Sequence, residues 1–326
     1  MKLSYNDYRI IYGYGESMRK LLSGLLTLSL LLILLGLILY NEQSIVQYLN
    51  ETILHSHEKI VVHKNEYYRP SNFMFVQNTE NHLVSSKQEI YNNFYSGINS
   101  GESEFSFYCK HDYKECLDDL TEIASNRDLL SHINNFTHPF NSFKQVETKF
   151  EPFGKVTIML NKNYTKEEVN RLNVEVERLS KELFSENNTV KYNILQAHNY
   201  IITKSRYDSN KVSGKSTYNS DKATGALFEG WAICSGYTDA MQLFLEELGI
   251  NNFRVASEKH TWNAVEIENK WYHLDLTWDD PVAVGIPDLD LLEHEFFLIS
   301  TRDLKNFNTG EHEFDENIYK ELKIEA

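Results

Sequence analysis

Residues 21–40 read LLSGLLTLSLLLILLGLILY, a run without a charge in which Ser23, Thr27 and Ser29 are the plainly polar side chains. At about 1.5 Å rise per residue such a helix is ~30 Å long, the hydrocarbon thickness of a bilayer. A cleaved signal peptide carries a shorter apolar region, roughly 7 to 15 residues, that ends in a small-residue cleavage site. Here Asn41, Glu42 and Gln43 follow, with no Ala-x-Ala-like pattern. The sequence therefore predicts an uncleaved, single-pass transmembrane anchor over residues 21–40. Lys2, Arg9, Arg19 and Lys20 precede it and Glu42 is the nearest charge after it. The positive-inside rule then places residues 1–20 in the cytoplasm and residues 41–326 outside the cell membrane. A 20-residue tail is too short to fold alone, so the function is expected in the outer portion.

Charge narrows what that portion can do. The 32 basic and 47 acidic side chains leave a formal charge of −15, and no long basic run offsets it. Nucleic acid is thus not an expected partner. With 41% hydrophobic residues the chain can bury a core. Three cysteines are too few for a disulfide scaffold.

Residues 41–100 are polar, with apolar positions scattered too irregularly to assign elements, and part of the stretch reads as a stalk or loop-rich cap. Residues 104–110 (EFSFYCK) alternate as a half-buried strand. Residues 113–124 then place Leu117, Leu120, Ile123 and Ala124 on one helical face. Cys109 and Cys116 flank the turn between these elements. Outside the cell they are candidates for a disulfide, whose eight-residue loop would contribute about 2.5 kcal/mol, the alternative being two half-buried thiols. Residues 155–160 (KVTIML) read as a strand. Thr165 and Glu168 form a capping box ahead of an amphipathic helix carrying Val169, Leu172, Val176, Leu179 and Leu183. Another helix covers residues 192–203, in which His198 reads as a core or boundary histidine. Residues 205–223 are small and polar, hence a loop.

The chemistry is concentrated after that loop. From Gly230 on, apolar positions recur at three and four until Gly249, a helix stop, so Cys234 falls in the first turn of a helix. The dipole and unpaired N–H groups of that turn favour thiolate over thiol. Residues 264–267 and 271–276 look like two strands joined at residues 268–270. Folding this hairpin brings Asp275 within one or two cross-strand positions of His260. Since 260 + 275 = 535, the two would be directly opposite if the turn centred between Ile267 and Glu268. The polar turn lies one residue later, which requires a diagonal pair or a bulge. A carboxylate-to-imidazole hydrogen bond there would fix the tautomer and stabilise an imidazolium.

This order of Cys, His and Asp resembles the transglutaminase-like superfamily, above all its bacterial membrane-anchored members. The resemblance rests on GWAICSGYTDAMQLFLEELGI, HTWNAVEI and KWYHLDLTWDDP and covers residues 192–281. It implies a papain-like α+β fold in which a helix bearing the Cys packs on an antiparallel sheet bearing the His and Asp. It also implies Cys234 as nucleophile, His260 as general base and acid, and Asp275 as the orienting residue. The vertebrate enzymes carry Gly-Gln-Cys-Trp where this chain has Ala232, Ile233, Cys234 and Ser235. A side-chain oxyanion donor directly before the Cys is thus absent, and Trp231, Tyr218 and Trp262, the last of which walls the cleft or packs the sheet, become candidates for oxyanion or substrate contact. His273 shares a strand face with Asp275 and reads equally as a residue supporting it or as a solvent-facing histidine. Asp279, Asp280 and Pro281 read as a turn, and two adjacent carboxylates offer too few ligands for calcium.

The expectation is therefore an α+β protein with residues 1–20 cytoplasmic, 21–40 transmembrane, 41–150 an extracytoplasmic α+β or cap region, and 151–326 a transglutaminase-like domain. A last strand is expected around residues 296–299, followed by a solvated acidic tail. The expected activity is that of a thiol enzyme acting on amide bonds of protein or cell-wall peptide, without cofactor or metal. Water as acceptor makes it a protease or amidase, and an amine makes it a crosslinking acyltransferase. The contrasting reading is a binding or scaffolding module that keeps the fold without catalysis.

Overall fold

The computed structural model describes residues 5–42, 45, 46, 49, 62–110, 112–151, 154–280, 293–307 and 310–323. Pro281 of the expected turn lies outside them. The chain divides into two units, Met1–Lys59 and Ile60–Ala326.

The first unit is built on helix α1 (Tyr5–Tyr40). Its Met18–Tyr40 segment is long and apolar enough to cross a membrane, and none of it is buried within the protein. Two of the hydroxyls inside it are satisfied by the helix itself: Thr27 donates to the Ser23 carbonyl at 2.6 Å and Ser29 to that of Leu26 at 2.8 Å. Such back-bonding removes the polar cost of a hydroxyl in an apolar setting.

The second unit is mixed α+β. Strand β1 (Leu83–Val84) leads into α2 (Lys87–Asn99), capped by Ser86. Then come β2 (Glu104–Cys109), α3 (Cys116–Ser125) and α4 (Arg127–Asn135). Strands β3 (Phe143–Phe150) and β4 (Lys155–Lys162) complete a sheet of order β1-β2-β4-β3, in which only the β1-β2 pairing is parallel. The segment read as a stalk is corrected here. Phe73, Val76, Phe94 and Ile98 are buried in the same cluster as Phe253, Trp262 and Tyr319, because their apolar side chains close one face of the later sheet. The boundary expected at 150–151 likewise does not coincide with a break in packing, since β3 and β4 pair across it. Leu117 turns outward from α3, at 53% exposure, while Leu120 and Ile123 face the core.

Helices α5 (Lys166–Leu183) and α6 (Val190–Lys204) follow, and the Thr165/Glu168 capping box is present. The loop after α6 holds a two-residue strand, β5 (Arg206–Tyr207), paired in parallel with β6 (Trp231–Ala232). Helix α7 (Cys234–Glu247) then leads into an antiparallel sheet of β7 (Asn252–Ala256), β8 (Thr261–Ile267) and β9 (Lys270–Leu274). The β8-β9 turn consists of Glu268 and Asn269, both at positive φ, the backbone twist a two-residue hairpin requires. Val265, Ile267 and Leu274 face α5, α6 and α7, whereas Phe253, Trp262 and Trp271 belong to the other cluster, beside Phe73, Phe136, Phe314 and Tyr319. The strands thus separate two hydrophobic clusters, as their period of two dictates.

Residues 296–299 do not form the expected strand. His273 and Ile299 make an isolated antiparallel bridge, and Leu298 at φ 53° turns the chain away from strand geometry. Helix α8 (Thr301–Phe307) follows. The tail, expected to be solvated, packs back instead: Phe314 bridges Ser257, and the buried Tyr319 stacks on Phe253 at 5.8 Å and 7°.

A disulfide joins Cys109 and Cys116 with Cα atoms 6.0 Å apart, closing the turn from β2 to α3. Reducing it should lower the stability of the second unit by about 2.5 kcal/mol, the entropy of an eight-residue loop. Chemical denaturation of the full-length chain with and without reductant measures this, and coincident curves would show that the turn is held by packing alone.

Candidate active site

Cys234 opens α7, with Ile233 as its N-cap in extended geometry, and is half-buried. The helix begins here because residues 219–222 lie across its end. Ile233 N–H donates to the Ser220 carbonyl at 2.8 Å, and the Ser235 hydroxyl donates to that of Asp221 at 3.0 Å. Gly236 is what allows this approach, since a Cβ there would lie 2.2 Å from the Ser220 carbonyl oxygen. One turn further on, the Thr238 hydroxyl reaches the Cys234 and Thr261 carbonyls at 2.7 and 3.1 Å, and Asn263 donates to the Thr238 carbonyl at 3.1 Å. Helix and strand β8 are therefore locked together beside the thiol.

His260 occupies the turn between β7 and β8. Ser257 fixes it: the His260 N–H donates to the Ser257 hydroxyl at 3.0 Å, and the Ser257 N–H to the His260 carbonyl at 2.9 Å. The imidazole stacks on Trp262, centroids 5.6 Å apart and 18° from parallel. Its Nε2 lies 2.5 Å from Asp275 Oδ2, and the ring adjoins Cys234, which helps to hold the imidazole charged. With Nε2 on Asp275, Nδ1 is the nitrogen left for the thiol. The expected diagonal pairing is the observed one. Register pairs Ile267 with Lys270, a sum of 537, so His260 and Asp275 sit obliquely on the same face just beyond the ends of β8 and β9.

Asp275 is 2% exposed. Its Oδ1 accepts from the N–H groups of Thr277 at 2.9 Å and Trp278 at 3.4 Å, while Oδ2 accepts from His260 and from His312 Nε2 at 2.8 Å. Burial opposes the carboxylate charge most strongly, yet attraction and hydrogen bonds from His260 and His312 hold Asp275 well below the ordinary carboxylate range. Burial likewise opposes the His260 charge, but the Asp275 carboxylate and the Cys234 contact push this imidazole up to about 10.

The remaining sequence candidates divide. Tyr218 and Trp231 stack at 5.6 Å and 16° on the exposed side of the site, three residues from Cys234 in the case of Trp231. Trp262 is 1% exposed, donates its indole N–H to His273 Nδ1 at 2.9 Å and underlies the His260 ring. His273 is buried, not solvent-facing. Burial, followed by the His312 charge, pushes it down to about 3, and its Nε2 is 3.0 Å from the Thr301 hydroxyl. His198 is the satisfied core histidine expected, but its partner is Asp279, 3.0 Å away and fully buried, within the stretch read as a plain turn. Tyr237 donates to Asp280. The three aspartates of DLTWDD thus anchor one turn at three points.

Sequence reasoning missed His312 and Tyr207. His312 arrives from the tail, 37 residues beyond Asp275, across no recognisable motif. Tyr207 pairs with Ala232, two residues ahead of Cys234, and its phenol is pushed up by burial and by the neighbouring Cys234 and Glu311. Donor atoms of His260, Asp275 and His312 lie within 4.8 Å of one another, the geometry of a three-ligand cluster as well as of a hydrogen-bonded triad.

No protein-family model matches the chain, and no curated protein matches it. Among solved structures it is similar to a protein described as a "TGase", a transglutaminase, at 15% identity over 42% of this chain and 45% of that one, TM-score 0.31. It is also similar to a "putative cysteine protease" from Cytophaga hutchinsonii, at 12% identity over 41% of this chain and 61% of that one, TM-score 0.26. The chain thus covers less than two thirds of either protein, and both likenesses are partial.

Because folding raises His260 from 6.5 to about 10, its stabilising contribution is complete below pH 6.5 and is lost as the pH climbs toward 10. Urea midpoints should fall across that window in the wild type and flatten in His260→Gln, and parallel slopes would contradict the assignment. Gly236→Ala should destabilise the unit by about 2 kcal/mol or more, because backbone must move to admit the Cβ. A thermal melt unchanged from wild type would refute that reading of the close approach.

Proposed function

We propose that the outer unit is a thiol enzyme of the transglutaminase-like type, anchored by α1, that acts on amide bonds of protein or cell-wall peptide outside the membrane. The observation that carries the reading is the His260 ring, which adjoins Cys234 and is hydrogen-bonded to the buried Asp275 carboxylate. A half-buried cysteine that only packs has no need of a charged relay behind it. Export fits the Cys109–Cys116 disulfide, a bond that persists in oxidising surroundings.

In this reading His260 takes the Cys234 proton, and the thiolate attacks the amide carbonyl to form a C–S bond. N–H groups of the first α7 turn, that of Cys234 foremost, face the oxyanion. The imidazolium passes its proton to the departing nitrogen as the C–N bond breaks, leaving a thioester. Water or a primary amine then attacks, His260 accepting its proton and returning it to sulfur. Asp275 keeps the ring oriented throughout. The Tyr218–Trp231 pair flanks the acyl donor as an aromatic platform.

Full-length protein in detergent, incubated with a glutamine peptide with and without a primary amine and followed by mass spectrometry, tests this. A deamidated or cleaved peptide is expected if water is the acceptor and an amine adduct if transfer dominates, each abolished in Cys234→Ala. With the other two cysteines paired, iodoacetamide reports on Cys234 alone. Slow alkylation that is unchanged in His260→Ala, with no product, would overturn the proposal in favour of a binding module.

A further inference from the structure

We infer that His312 is a positioning residue of this site, holding the Asp275 carboxylate against His260; this rests on the enzymatic reading above. Three observations carry it. First, Asp275 Oδ2 accepts from both imidazoles, at 2.5 Å from His260 and 2.8 Å from His312. Oδ1 is already occupied by two backbone N–H groups, so His312 supplies the remaining donor to the oxygen that faces His260. Second, His312 is placed by shape. Its ring lies flat on Phe296 at 5.1 Å and 14°, with Trp262 at 4.9 Å and Trp278 at 5.3 Å around it and His260 edge-on at 5.2 Å. An imidazole packed this way has its N–H direction set before the carboxylate arrives. Third, the segment that bears it is tied to the turn that bears His260, because Phe314 bridges Ser257 and Ser257 bonds the His260 backbone.

Without the His312 donor, a buried carboxylate oxygen loses one of its partners. The carboxylate then relaxes about its side-chain torsion, and the His260 contact lengthens. Among the described residues, the titratable groups facing His312 include His260 and Asp275 directly and His273 across Trp262. The aromatic rings provide the apolar walls. The function of His312 is thus exerted through Asp275 and not on substrate.

Two variants of the full-length chain separate this role from packing. His312→Phe keeps a ring among the aromatic walls and removes the donor, while His312→Gln restores an N–H near the position of Nε2. Expected are a roughly tenfold fall in the rate of Cys234 alkylation by iodoacetamide at pH 6 in His312→Phe, the size of one hydrogen bond to a charged group, and a downward shift of the His260 titration midpoint read from its imidazole NMR signals. His312→Gln should return both to within threefold and half a unit of wild type. A His312→Phe profile that superimposes on wild type, an upward midpoint shift, or equal losses in both variants would overturn the inference. Nitrogen-15 spectra of histidine in the wild type give a test that needs no variant to fold: a His312 Nε2 without its proton would also overturn it. Failure of the parent reading looks different, since wild type and His260→Ala would then alkylate alike whatever stands at position 312.

Discussion

A carboxylate with 2% exposure cannot remain in a protein interior unless every oxygen has donors, and Asp275 organises much of the second unit around that requirement. Its donors come from the turn before β8, from the backbone following β9 and from the C-terminal tail. Segments distant in the chain are thereby brought to one point. The same turn is secured further by Asp279 on His198 of α6 and Asp280 on Tyr237 of α7. Satisfying these three carboxylates together therefore ties the sheet, two helices and the tail to one turn.

The sheet β7-β8-β9 is the plane on which the site is assembled. One face receives α7, and the buried Arg254 reaches Asp239 of that helix at 2.9 Å, fixing its height over the strands. The other face carries Trp262 and His273, whose mutual hydrogen bond continues to Thr301 and from there to the Leu322 carbonyl. His260 rests on the end of that chain of rings. Its orientation is thus supported from below by apolar stacking and from the side by charge, while Cys234 approaches from the helix that the opposite face holds.

Local pattern was legible wherever one segment settled its own geometry. The Thr165/Glu168 box, the helix start at Cys234, the Gly249 stop and the hairpin at Glu268 all depend on contacts within a few residues. The hairpin arithmetic even pointed to an oblique pairing of His260 with Asp275, because a two-residue turn leaves little freedom of register. Residues 62–100 were misread for the opposite reason. Their apolar side chains are spaced without period, and they become core only because another sheet face stands opposite them. The tail failed likewise: an acidic composition describes what faces water and says nothing of His312 or Tyr319, which turn inward.

By itself, then, the sequence determined a membrane-length apolar helix, the order of Cys, His and Asp on a helix start and two adjoining strands, and the cysteine pair flanking one turn. These follow from periodicity, charge and loop length, all properties of neighbouring residues. Tertiary structure alone decided that Asp275 serves two imidazoles, that Trp262 spends its N–H on His273, and that Asp279 is the buried partner of His198. Each of these is a pairing between residues separated by many positions, where no local spacing rule operates. Which polar group a buried donor meets is set by packing, once the strands and helices that carry them have closed on each other.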